Sequence, residues 1–135
     1  MTDTWQTEMF LTQVQERGEY DSAAEADRAA RVVLALLGAH LTGAVRAELA
    51  VRLPEEFALV LLNPLPAAEP LDAERLVRAT AAWIAGATES TALWDIGAVL
   101  SVVADTAGPE LSEKVLAQLP ADWPPLFGRP ASVRS

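Results

Sequence analysis

The side chains able to do chemistry are few and scattered. His40 is the only histidine and there is no cysteine, which excludes a thiolate zinc site, a cysteine nucleophile and a disulfide framework. A zinc centre takes three or four protein ligands, so a lone histidine fits a structural or solvent-facing role better than a ligand role. Ser22, His40 and an aspartate can be written down as a triad, but no nucleophile-elbow motif accompanies them. The acids Glu16, Glu19, Asp21, Glu25 and Asp27 crowd one turn. They lack the alternating oxygen ligands, central glycine and terminal glutamate of a calcium loop. Ser22 and Glu25, three apart, instead suit a capping box. Glu55 and Glu56 project about 100° apart on a helix and read as acids complementing its dipole, not as an acid/base pair. The residues therefore point to no catalytic, cofactor-binding or metal site.

Four tryptophans remain as the residues able to organise recognition, because tryptophan is costly to expose and enriched at interfaces. Trp83 and Trp94 lie within strongly apolar stretches and are expected to fill the core. Trp5 and Trp123 lie at the ends of the folded region beside proline or short polar residues. Together with Phe127 they are the candidate partner-facing residues.

The elements that would position these residues are helical. A first helix is expected from about Thr4 to Arg17, with Trp5/Met9 and Phe10/Val14 spaced four apart and Gly18 as a left-handed stop. Ser22 opens a second helix striped by Ala26, Ala29, Val33, Leu36 and Leu37, ending between Gly38 and Leu41. Thr42 caps a third, with Val45, Leu49 and Leu53. Pro54 starts a short fourth helix that buries Phe57, Val60 and Leu61. NPLPAAEP, from Asn63 to Pro70, holds three prolines and reads as a semi-rigid connector.

Beyond it the pattern restarts. A gap-free offset of 66 places Leu53-Pro54 on Leu119-Pro120, Phe10 on Leu76, Val33 on Val99, Leu37 on Val103 and Phe57 on Trp123. In the second half Thr88 and Ser90 offer helix caps. The helix from about Ser90 to Asp105 is apolar nearly all round and should be central, with Asp95, Ala98, Ser101 and Asp105 as its solvent strip. Pro124-Pro125 reduces the last helix to a turn. The expected architecture is an all-α, compact bundle of about 7–8 helices built from two tandem pseudo-symmetric repeats. Its single domain spans 1–128, with repeats at about 4–62 and 72–127, a linker at 63–70 and a flexible tail at 128–135.

Composition agrees. At 135 residues, 51% apolar and 21% charged, the chain suits one globular domain, and its many Ala and Leu residues favour helix. The N-terminus has no basic region followed by a long apolar run, so no secretory signal is expected. Ala92 to Ala104 falls short of the ~20 residues a membrane span needs. With cysteine absent, a cytoplasmic location is expected. A net charge of -9 disfavours nucleic acid and anionic membranes as partners.

FLTQV at Phe10–Val14, AARVVLALLGAHL at Ala29–Leu41, AELAVRLPEEF at Ala47–Phe57 and the echo VLAQLPADWPPLF at Val115–Phe127 together resemble the domain of unknown function 2267 family. The resemblance covers about Phe10 to Phe127. It implies a duplicated helical fold and small intracellular bacterial proteins, and it carries no active-site residue. From the missing chemistry, the expected function is a non-enzymatic interaction or scaffold module acting on a protein partner or another copy. The alternative is a small-molecule-binding protein with a pocket between the repeats, with weak enzymatic activity. An exposed apolar groove favours the first reading. A convergent polar pocket with buried carboxylates favours the second.

Overall fold

The computed structural model describes residues 3–63, 70–84 and 86–127. The connector at 64–69 and the tail at 128–135 lie outside the described residues. Seven α-helices and one 3-10 turn, with no strand among the described residues, follow in order: α1 (Asp3–Gly18), α2 (Ala23–Ala39), α3 (Gly43–Arg52), α4 (Glu55–Leu62), α5 (Ala73–Trp83), α6 (Glu89–Ala107), α7 (Pro109–Gln118) and the turn Pro124–Phe127. No helix among the described residues is long and apolar enough to cross a membrane.

Local chemistry sets the helix ends. The Ser22 hydroxyl accepts from the Glu25 amide at 3.2 Å, and the Glu25 carboxylate accepts in return from the Asp21 amide at 3.1 Å, one residue earlier than a strict capping box. Thr42 stands at the N-cap of α3 without a side-chain cap bond. Thr88 and Thr91 form a reciprocal capping box at α6. Gly18 does not act as a left-handed stop. Glu19 takes that conformation, with φ 56°, and a Cβ on Gly18 would collide with the ring of Tyr20. Gly18 is thus required for close approach of Tyr20 to the end of α1.

The expected central helix is central: α6 packs against α1, α2, α3, α5, α7 and the 3-10 turn. One continuous core joins Phe10 and Val14 of α1, the Val/Leu stripe of α2, Phe57 and Leu61 of α4, and Ile96, Val99 and Val103 of α6. Its rotation about its axis differs from the reading of the sequence. Asp95 and Ala98, expected to face solvent, are buried, and Ser101 is partly covered. The end of α1 and the turn that follows it lie over this strip: Arg17 donates to Ser101 Oγ and pairs with Asp105, and Tyr20, just beyond α1, donates to Asp95. The helix instead shows Leu93 and Trp94 to solvent.

The chain ending also differs. After the Leu119–Pro120 corner it folds back across α6, and this return encloses Trp123 (0% exposed) and Phe127 (5%). Trp123 Nε1 donates to the Leu71 carbonyl at 2.9 Å, and its ring lies 4.8 Å from that of His40. His40 Nδ1 bonds the Leu36 carbonyl at 2.8 Å while Nε2 accepts from the Leu71 amide at 2.8 Å, which requires the Nδ1–H tautomer. Both backbone groups of Leu71 are thus held by side chains from opposite halves of the chain. His40 has a structural role as one jaw of this clasp.

Candidate docking surface

Two of the three proposed partner-facing residues are removed from the surface by their burial, namely Trp123 and Phe127. Trp5 stays exposed (55%), beside Met9 and Val51 in a hollow of about 280 Å³ between α1 and the end of α3. The two tryptophans expected in the core are outside it. Trp83 ends α5 at 59% exposure, and Trp94 stands on α6 at 53%. Both lie in apolar stretches, but each falls on a side of its helix that the other described residues leave largely open.

Trp94 differs from a loosely exposed side chain. Its Nε1–H donates to the Gly18 carbonyl at 2.8 Å, an acceptor left free by the end of α1. That bond fixes the indole while half of it faces water, so little rotamer entropy remains to be lost on binding. Around it Ser90, Leu93, Gly97, Ala98 and Ser101 of α6, with Arg17 of α1, line an apolar hollow of about 360 Å³. Arg17 and Ser101 also line an adjoining hollow of about 570 Å³ that continues past Ala104 and Asp105 to Gly108 and Pro109. The two hollows share Arg17 and Ser101, and the Arg17 side chain is bonded to Ser101 and paired with Asp105 where they meet.

Gly97 is the least expected residue here. Mid-helix glycine is ~1 kcal/mol less favourable than alanine. Among the described residues no neighbouring atom lies within 4 Å of where its Cβ would stand, so their packing does not require it. A sequence signal was available in this unexplained glycine, one turn from a tryptophan, within an otherwise strong helix.

The one buried carboxylate among the described residues, Asp95, lies beneath this region and is occupied. Tyr20 Oη donates to it at 2.5 Å. Burial pushes the Asp95 carboxyl above its ordinary range, opposed by the Tyr20 bond and the Arg28 charge and reinforced by Glu25. Burial, the bond to Asp95 and that carboxylate's charge push the Tyr20 phenol well above its ordinary value, so Tyr20 remains a donor. Because the Asp95 pKa is raised on folding, the native state holds its proton to higher pH than the unfolded chain does. Its contribution to stability is therefore greatest at acid pH and falls as pH rises from about 4 through the folded value. In Asp95→Asn the amide oxygen still accepts from Tyr20. This variant is expected to lose that decline and to be at least as stable as the parent at neutral pH. Urea denaturation from pH 4 to pH 8 measures it; a variant equally pH-dependent, or much weaker at pH 7, contradicts the assignment.

Among the described residues no group of three or more His, Asp or Glu side chains is placed to hold a metal ion. No curated protein matches the sequence. Residues 7–126 match the model of a family described as an uncharacterized conserved protein, DUF2267, and the chain belongs to that family.

Proposed function

We propose that the chain is a non-enzymatic helical interaction module, active in the cytoplasm, that docks a protein partner on the outer face of α6. The observation that carries this reading is Trp94: a large aromatic, half exposed, pinned by its own hydrogen bond and bordered by exposed Leu93. Such rigid aromatic anchors dominate binding energy at interfaces. A small-molecule site is supported less well. The hollow beside Trp94 is walled by one helix and Arg17, without convergent buried polar groups, and the buried carboxylate nearby is already engaged by Tyr20. A tandem duplication remains part of the proposal. It is supported by α2 and α6, and α3 and α7, which each begin 66 positions apart, and by the leucines that end α3 and α7, Leu53 and Leu119.

A photoreactive benzoylphenylalanine placed at Leu93 tests the docking reading in native cells. A discrete protein adduct is expected, greatly reduced by Trp94→Ala. Absence of any adduct, or the same adducts from a probe at Glu113 on α7, would overturn it.

A further inference from the structure

We infer that the clasp on Leu71 is an acid-opened latch between the two halves of the chain, with His40 as its proton-sensitive jaw. His40 is the C-cap of α2, and backbone groups engage both of its ring nitrogens: Nδ1–H donates to the Leu36 carbonyl and Nε2 accepts from the Leu71 amide, each at 2.8 Å. Only the neutral ring can do this. A proton on Nε2 sets one N–H against another at hydrogen-bond distance, and the two must part.

The group that moves is Leu71. An imidazolium keeps its Nδ1–H on the Leu36 carbonyl, at a helix end that favours positive charge, and keeps the Trp123 ring, 4.8 Å away, as a cation–π surface. Neither offers Nε2–H an acceptor. Leu71 stands just before α5, outside any helix, and its carbonyl accepts from Trp123 Nε1 at 2.9 Å, so displacement at its N–H loosens that second bond as well.

The charged side chains on the segments around the ring are bonded elsewhere. On α2 the nearest in sequence is Arg31, which pairs with Asp27 and Glu56. Arg46 of α3 donates to the Leu41 carbonyl. Asp72, beside Leu71, accepts from the Arg75 amide, and Asp122, beside Trp123, accepts from the Ala73 amide. Glu69 lies outside the described residues. The contact that a proton on Nε2 breaks is therefore the Leu71 bond.

Nitrogen-15 NMR of the full chain from pH 8 to pH 5 tests this at the latch itself, since Asp95 gives global stability a slope of the opposite sign. At pH 8 the His40 ring is expected as the Nδ1–H tautomer. A free imidazole takes up a proton near about pH 6.5, so opening should be about tenfold more favourable at pH 5.5 than above neutrality. Hydrogen-exchange protection of the Leu71 amide, corrected for intrinsic exchange, should fall by that factor, with a matching shift of the Trp123 indole N–H. Protection of the Phe57 amide should not fall. In His40→Gln a side-chain oxygen that does not titrate accepts from Leu71, so its protection should be independent of pH; in His40→Phe, which has no acceptor, it should be low throughout. An Nε2–H tautomer at pH 8, a Leu71 amide as protected at pH 5.5 as at pH 8, or an acid-dependent loss that persists in His40→Gln would each overturn the inference.

Discussion

Trp123→Ala is expected to destabilise the fold by about 3–5 kcal/mol, a large share of the ~5–15 kcal/mol that holds a domain of this kind together. The indole is fully enclosed, so its loss removes apolar burial and leaves a cavity that the surrounding helices fill only in part. The same change strips the Leu71 carbonyl of its donor and the His40 ring of its stacking surface. His40 would keep its bonds to the Leu36 carbonyl and the Leu71 amide, but without a wall behind it. The clasp between the halves is thereby weakened from both sides. Thermal denaturation followed by circular dichroism should show Tm lower by ~15 °C. Trp94→Ala is the control: it should move Tm by only a few degrees, since its ring is half in water already. Equal effects from the two substitutions would mean that the burial of Trp123 contributes little.

That contrast also marks how far residues alone could be read. The helices were legible because their signals are local: Ser22 with Glu25, the proline after Leu53, and the four-residue spacing of Phe10 and Val14 each act within one or two turns. The centrality of α6 was legible from its composition, since a helix apolar nearly all round must be covered nearly all round. The same composition concealed its rotation. With apolar residues on every side, the acidic Asp95 was the natural mark of the solvent face, yet Tyr20 reaches it from the turn after α1, 75 positions away, and satisfies it in the interior. Trp94 and Trp123 exchanged roles for a related reason. Burial of Trp123 depends on the chain turning back at Leu119–Pro120, and exposure of Trp94 depends on which neighbours stop short of it. Both are tertiary facts that no helical period encodes. Burial of Phe57, by contrast, could be read from the Leu-Pro junction, because the turn that aims it lies three residues away.

Phe57→Ala is accordingly expected to cost about 3–5 kcal/mol, of the same order as Trp123→Ala and through a different part of the core. Leu53 ends α3, Pro54 turns the chain, and the Pro54 carbonyl accepts from the Phe57 amide at 3.0 Å, which starts α4 with the ring aimed inward. The ring is fully buried, 5.0 Å from that of Phe10 at a tilt of 37°, a favourable aromatic geometry. The Arg31 guanidinium sits 5.3 Å from its centroid, held there by Asp27 at 2.8 Å and Glu56 at 3.4 Å. That cation–π contact is partly exposed and contributes about 0.5–1 kcal/mol at most, so Arg31→Met should be mild while Phe57→Ala is severe. Since Phe10 and Phe57 share one contact, the double alanine variant should lose less than the sum of the two single losses. Urea titration of the parent, both single variants and the double variant yields the coupling directly. Strict additivity, or a loss below ~1 kcal/mol for Phe57→Ala, would show that α4 is held by its backbone turn and not by the ring it buries.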